Sequence, residues 1–291
     1  IKAEDLGAFN LLGGLFGFYK HNNMSAPVHF KQYGIDNLIL KNANNEYYYH
    51  LVGDRELSFE EDNFVIADDF VIPAFGVAAF LQGGVSFGGL DVKAGLRVDY
   101  EYSSMSYDSR ATVHYSTYRD LRDSNELNAV FKGSRAVDAL ELLPSLSVSY
   151  GGGWGNVYAS ARKGFKAGGF NTQLFSDLVQ QLMTSEIIRN YIAVEDDIDV
   201  KKTTRYKPEY SWNLDAGYKW QKNSTSASAT VFYTDCRDQQ LTVFPPGMQT
   251  GRMMTNAGHS RICGVEIEGV HRWNAVTLQA SYGYTHAVFA G

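Results

Sequence analysis

Residues 206–220 read YKPEYSWNLDAGYKW. From Tyr210 onward every second residue is apolar: Tyr210, Trp212, Leu214, Ala216, Tyr218 and Trp220. Ser211, Asn213, Asp215, Gly217 and Lys219 stand between them. Alternation with a period of two marks a strand with two unlike faces. The rings crowd the two ends of the apolar face, and the middle is aliphatic. From Tyr210 to Trp220 is roughly 33 Å of strand, or about 23 Å of height at a ~45° tilt. Aromatic rings at two levels with aliphatic carbon between them suit a bilayer, whose headgroup layers accept ring edges and whose acyl layer accepts Leu and Ala. A sandwich core would place its largest rings in the middle of the strand.

The pattern recurs along the chain. In 90–102, LDVKAGLRVDYEY, Leu90, Val92, Ala94, Leu96, Val98, Tyr100 and Tyr102 oppose Asp91, Lys93, Gly95, Arg97, Asp99 and Glu101. Stretches 225–234, 263–273 and 276–284 alternate too, and 8–20, 70–84, 140–150 and 154–165 read as less regular strands. Alternation over ten or more residues exceeds the usual strand of about 5–6. The charged faces need water, so the polar side is expected inside a barrel and the apolar side against lipid.

Connections alternate between short (85–89, 151–155, 221–225, 272–275) and long (21–69, 105–139, 166–205, about 236–259). The expected fold is all-β: a transmembrane antiparallel β-barrel of about nine long strands, with short periplasmic turns and long extracellular loops. One amphipathic helix is predicted over 174–189, where Leu174, Leu178 and Leu182 recur every four residues. Nine strands would not close a single-chain bacterial barrel, and an open edge is intolerable in lipid. Residues 1–291 are therefore expected to be part of one larger barrel domain. The opening IKAEDLGAFN has no Met and no signal-peptide pattern, which suggests a processed or partial product.

Composition agrees. Nineteen Tyr, 17 Phe and 28 Gly suit strands and turns, and the longest nearly unbroken apolar run, 70–81, is too short for a membrane helix. A net charge of −6 argues against a nucleic-acid partner. Gly84–Gly88 fits G-x-S-x-G, but a strand follows where a nucleophile elbow needs a helix, so no enzyme is expected. The seven His form no H-E-x-x-H and no C-x-x-C exists, so neither a metal site nor a cofactor is expected.

Five strings carry a family resemblance: GLRVDYEY (95–102), VYASARKGFKAGGFN (157–171), RYKPEYSWNLDAGYKW (205–220), VFYTDCRDQQLTVF (231–244) and TNAGHSRICGVEIEG (255–269). In this order they resemble strands of the TonB-dependent outer-membrane receptors. The resemblance implies a 22-stranded barrel with a plugged lumen. It implies an outer-membrane location and uptake of a scarce, bulky nutrient powered through TonB by way of a plug domain. The plug, the TonB box and the final aromatic strand are not found in these residues. A ferric siderophore is the favoured cargo. Haem is less favoured, because FRAP and NPNL strings are missing around GFKAGGFN and YKPE. A passive porin-like barrel or an adhesin is the alternative.

Candidate ligand residues in the loops are Tyr47, Tyr48, Tyr49 and His50, beside Glu60, Glu61, Asp62, Asp68 and Asp69. Phenols, imidazole and carboxylates suit ferric iron, and a solvated acidic loop is the plain alternative. Arg97 and Lys166, with Arg162, Lys163 and Arg205, are candidates to attract an anionic chelate, or else to pair with lumen carboxylates. Phe170 is a further ligand-binding candidate. His259 is a further candidate. Met248, in FPPGMQTGRMM, stands on a loop that would touch ligand or a surface lipoprotein. Cys236 and Cys263 are expected on neighbouring strands within reach of a disulfide, which a Cα separation above about 7 Å would exclude.

Overall fold

The computed structural model describes residues 2–6, 8–41, 43–44, 55–189, 204–244, 252–256 and 258–290. In chain order it forms β1 (Lys2–Leu6), β2 (Phe9–Ser25), β3 (Val28–Lys31) and a short helical segment α1 (Gln32–Gly34) that runs into a π-helical turn (Ile35–Leu40). Then come β4 (Arg55–Phe59), β5 (Asn63–Phe87), β6 (Leu90–Tyr118), β7 (Asn125–Gly152), β8 (Gly155–Lys166), β9 (Gly169–Phe170) and α2 (Phe175–Arg189). The remainder is β10 (Arg205–Tyr206), β11 (Glu209–Lys222), β12 (Thr225–Arg237), β13 (Gln240–Val243), β14 (Met253–Asn256), β15 (His259–Trp273) and β16 (Val276–Ala290).

One antiparallel meander, β1-β2-β5-β6-β7-β8-β11-β12-β15-β16, holds all nine long strands, with β1 and β16 as its edges. The turns at one rim are two residues long. Gly88 and Gly89 join β5 to β6 at φ +57° and +87°, and Asn223 and Asn274 take φ 50° and 48° in the β11–β12 and β15–β16 turns. Gly and Asn enter this left-handed region most readily, so the turn chemistry fixes the register of each hairpin.

Exposure in these strands is the reverse of a soluble protein's. Trp212 and Leu214 are 44% exposed, Leu142 is 55% and Leu278 61%, while Ser211, Asn213 and Asp215 on the opposite face are half-buried. The polar face is lined by pairs. Asp215 accepts from Arg162 at 2.9 Å and from the Ser160 hydroxyl at 2.7 Å. Arg97 binds Asp99 at 2.6 Å.

At the other rim the structure corrects the expected loops. Residues 105–139 are not a loop: β6 runs unbroken to Tyr118 and β7 starts at Asn125, leaving 119–124 as the connection. β2 extends to Ser25 and β5 starts at Asn63, so the expected 21–69 loop is also shorter. The reason is a change of solvent. Above Ser103 the outward residues are polar (Ser106, Asp108, Arg110, Thr112) and the inward ones apolar (Met105, Tyr107, Ala111, Val113). The alternation persists, but the apolar side has moved to the other face.

The conventional core lies here. α2 presses Phe175, Val179 and Met183 against the inner face of β5, β6 and β7. The Phe175 ring sits 5.0 Å from that of Phe70 and 4.7 Å from that of Tyr107. The predicted helix thus forms one residue inside its expected start, after a 3₁₀ turn over Thr172–Leu174. Ile35 and Ile39 of the π-helical turn join the same cluster with Phe30, Phe64 and Ile66. On the outer face Asp108 binds Arg110 at 2.5 Å and Lys132 at 2.8 Å, which hold its carboxyl well below the usual carboxylate range.

Candidate functional site

Three amide side chains tie the loop ends together where β8, β11, β12 and β15 leave the wall. Asn171, just past β9, makes a reciprocal pair with Met254: its Nδ2 donates to the Met254 carbonyl at 2.9 Å, and the Met254 N–H donates to its Oδ1 at 2.7 Å. Gln240, buried at the start of β13, donates from Nε2 to the carbonyls of Ala167 at 2.8 Å and Lys207 at 3.1 Å. Its own N–H donates to Glu209 Oε2 at 2.7 Å. Asn256 closes the set. Its Oδ1 accepts from the Lys207 N–H at 2.7 Å, and its Nδ2 donates to the carbonyls of Lys207 at 2.9 Å and Asp238 at 2.8 Å. Backbone groups with no strand partner need such satisfaction, and an amide serves both a donor and an acceptor at once. The result is a braced roof made of the β9–β10 pair and the β13–β14 hairpin.

Beside this roof lies a cavity of about 750 Å³. Phe18 and Lys20 of β2 and Glu101 of β6 contribute its wall, and Arg205, Tyr206 and Met254 its loop side. The Arg205 guanidinium is fixed by a 3.2 Å hydrogen bond to the Ala136 carbonyl of β7. That volume is within the range of small-molecule sites.

A second polar feature sits under α2. Asp68 of β5 is almost fully buried, and burial pushes its carboxyl up to about 6, with Asp69 and Asp177 adding to the rise and the Ser109 hydroxyl opposing it. At the extracellular tip, the hydrogen bond from His114 Nδ1 to Glu61 at 2.7 Å raises the imidazole's affinity for a proton. Among the described residues no group of three or more His, Cys, Asp or Glu side chains is placed to hold a metal ion.

The candidates from the sequence are scattered. Tyr47, Tyr48, Tyr49, His50 and Met248 lie outside the described residues. Arg97 faces the polar side but is held by Asp99 and stacked at 5.6 Å over the Phe16 ring. Lys166 ends β8 opposite Glu209. Phe170 packs against the cluster of Phe70, Met105, Tyr107 and Phe175. His259 points to the outer face, where it pairs with Asp235 beside Arg237 and Arg261. None of Arg97, Lys166, Phe170 and His259 lines the cavity, whereas Arg205 does.

The expected Cys236–Cys263 bridge is corrected. Cys236 stands opposite Ser260 and Cys263 opposite Tyr233, three positions apart on paired strands. That is about 10 Å along the strand and on opposite faces. Cys236 is buried, Cys263 is exposed, and both are free thiols.

Residues missed by the sequence reading are Lys20, Tyr206, Met253 and Met254 on the cavity, and Asn171, Gln240 and Asn256 in the braces. The last three did carry a signal: they stand in GGFN, DQQ and TNAG, three of the quoted strings.

Lipid-facing strands, a charged inner face, two-residue turns at one rim and braced loops at the other define an outer-membrane β-barrel of receptor type. The chain belongs to the TonB-dependent receptor-like β-barrel family, whose model matches residues 4–291. Barrels of this family lie in the bacterial outer membrane, and its members are transporters and not enzymes. Among solved structures, the ferric yersiniabactin uptake receptor FyuA from Yersinia pestis is 17% identical, with a TM-score of 0.57 over 99% of this chain and 34% of that one. The ferric-catecholate import receptor Fiu from Escherichia coli K12 is 11% identical, with a TM-score of 0.46 over 97% of this chain and 39% of that one. The first similarity shows the shared fold, and this chain spans about a third of the FyuA chain. No curated protein matches the sequence.

Proposed function

We propose that this chain is part of the barrel wall of a TonB-dependent receptor that takes up a scarce, bulky nutrient as a ferric siderophore complex. All of residues 1–291 belong to one barrel domain in this reading. Because β1 and β16 do not pair with each other, further strands complete the cylinder, and TonB acts through a plug held inside it. The observation that carries the proposal is the cavity of about 750 Å³ on the water-facing side, beneath loops braced by Asn171, Gln240 and Asn256. Braced loops around a concave, mixed-polarity site suit capture of one ligand. They do not suit free diffusion of many.

The test is iron uptake by cells whose other iron receptors are deleted and which express the full receptor. Growth on ferric siderophores that stops when the proton-motive force is collapsed supports the reading. Energy-independent entry of many small solutes would replace it with a passive porin, and no transport at all with an adhesin.

A further inference from the structure

On the lipid-facing side of the wall, four residues of β12 and β15 form a square. Arg237 stands opposite His259, and Asp235 opposite Arg261. Facing residues of paired strands lie about 5 Å apart, and residues two apart along a strand about 7 Å. Asp235 binds Arg237 at 3.3 Å, Arg261 at 3.7 Å and the His259 imidazole. No second carboxylate among the described residues pairs with these three bases. Two guanidinium charges therefore share one carboxylate. The Arg237 and Arg261 side chains are 72% and 53% exposed, and Asp235 beneath them is 17% exposed. Other cations of the outer face are better matched. Lys163, opposite Trp212, has Glu141 at 3.1 Å. Arg110 and Lys132 bind Asp108, which has Asp69 opposite it. The square lies level with rings: Asp235 is opposite Trp212, and Arg237 opposite Tyr210. Below it on the same face come Tyr233 with Cys263, then Val231 with Val265 and Ala229 with Ile267. The ring row nearer the long connections marks the headgroup layer of the outer leaflet, and the aliphatic residues below it mark the acyl layer.

We propose that this square binds the phosphate of an anionic lipid headgroup in the outer leaflet. The inference does not depend on which cargo the receptor carries. A guanidinium presents a planar fork of N–H donors that matches phosphate oxygens, and such charge-assisted bonds are the stronger kind. The headgroup layer is less polar than bulk water, so an unmatched positive charge weighs more there than on a wetted loop. A headgroup phosphate arrives at this depth with its acyl chains already directed along Val231, Val265 and Ile267. A zwitterionic headgroup brings its own cation and neutralises less of the excess. The square also sits at the stem of the cavity's roof. Arg237 precedes the brace residue Gln240 by three positions, and His259 follows Asn256 by three. One phosphate held by an arginine from each strand ties the two sides of that stem together.

The test places the full receptor in phosphatidylcholine vesicles with about a tenth of the lipid replaced by phosphatidic acid carrying brominated chains, or by brominated phosphatidylcholine. Bromine quenches a nearby indole, and the Trp212 share is taken as the difference from a Trp212→Phe variant. The expected result is an about fivefold preference for phosphatidic acid at this site, the effect of about one unmatched basic charge against an anionic lipid. Arg237→Gln with Arg261→Gln is expected to abolish the preference. Arg237→Gln alone is expected to reduce it to about twofold, and covers the case in which the double variant does not fold. Asp235→Asn removes the counter-charge and is expected to raise the preference several-fold, a gain that a merely structural role for Asp235 does not produce. Equal quenching by the two brominated lipids overturns the inference. A preference that survives the arginine substitutions, or that falls in Asp235→Asn, removes the square as the site. A preference erased by about 10 mM inorganic phosphate makes the free ion the ligand and overturns the lipid assignment. None of these outcomes touches the siderophore reading.

Discussion

Replacing Asn171 by Ala tests whether the amide braces hold the cavity's roof. The substitution removes both bonds of the reciprocal pair, the 2.9 Å donation to the Met254 carbonyl and the 2.7 Å acceptance from its N–H. Asn171 is 5% exposed, so water replaces little of what is lost. Each peptide group left unpaired in such a place costs about 1–3 kcal/mol. The backbone bond from the Asn171 N–H to Thr204 survives, so the change falls on the β13–β14 hairpin and not on the wall. Two unpaired groups give about 2–6 kcal/mol, and at about 1.4 kcal/mol per factor of ten the hairpin should open roughly thirty- to twenty-thousand-fold more often. Amide hydrogen exchange of Met254, Thr255 and Asn256 in the full receptor reads this opening directly. Exchange in β11 and β12 should stay unchanged. Asn171→Asp keeps an acceptor for the Met254 N–H but sets a carboxylate oxygen against a carbonyl, so it should open the hairpin nearly as much. If Asn171→Ala leaves exchange of Met254 within a factor of two of the unaltered protein, the braces do not hold the roof.

Other outcomes follow from the same geometry. Leu214→Lys puts a charge on the lipid side at mid-height and should cost about 2–4 kcal/mol in refolding into vesicles, whereas Asp215→Asn on the water side should cost far less. Burial places the folded-state pKa of Asp68 at about 6, above its usual 3.8. Its favourable protonated state is therefore fully present below about pH 4 and is lost as pH rises through 6. Exchange protection of α2 should accordingly be greater at pH 5 than at pH 7.5, and Asp68→Asn should remove most of that difference. Non-reducing electrophoresis after oxidation should show no intramolecular crosslink, with Cys263 reacting first with a lipid-permeant maleimide and Cys236 only after unfolding.

The wall was legible because a strand between lipid and water must alternate at every step. Tyr210 to Trp220 and Leu90 to Tyr102 do so without a break, and the structure keeps both faces as read. The extension above Ser103 was hidden by the same rule. There Met105, Tyr107 and Val113 turn inward to meet α2, so the apolar positions fall out of step with Tyr100 and Tyr102 and resemble loop text. The helix itself was visible from the four-residue spacing of Leu174, Leu178 and Leu182. The cavity was not visible. Lys20, Glu101, Arg205 and Met254 come together only through pairing of strands far apart in the chain, and nothing local marks them. The disulfide expectation failed for a related reason: hairpin length suggested nearness, but only the register, with Cys236 opposite Ser260, shows that the two sulfurs lie on different faces.

The exchange of apolar faces along β6 also has a consequence for how the strands find their partners. β6 has 29 residues, roughly 95 Å of chain at about 3.3 Å each, of which the lipid band occupies only the lower part. A slip of one residue against β7 would turn Arg97 and Asp99 into lipid, and it would also turn Met105 and Tyr107 into water. The two halves would penalise the same error through opposite solvents. Insertion of one residue between Ser103 and Ser104 should force a bulge there, because neither half can yield, while insertion of two should be absorbed by a longer hairpin.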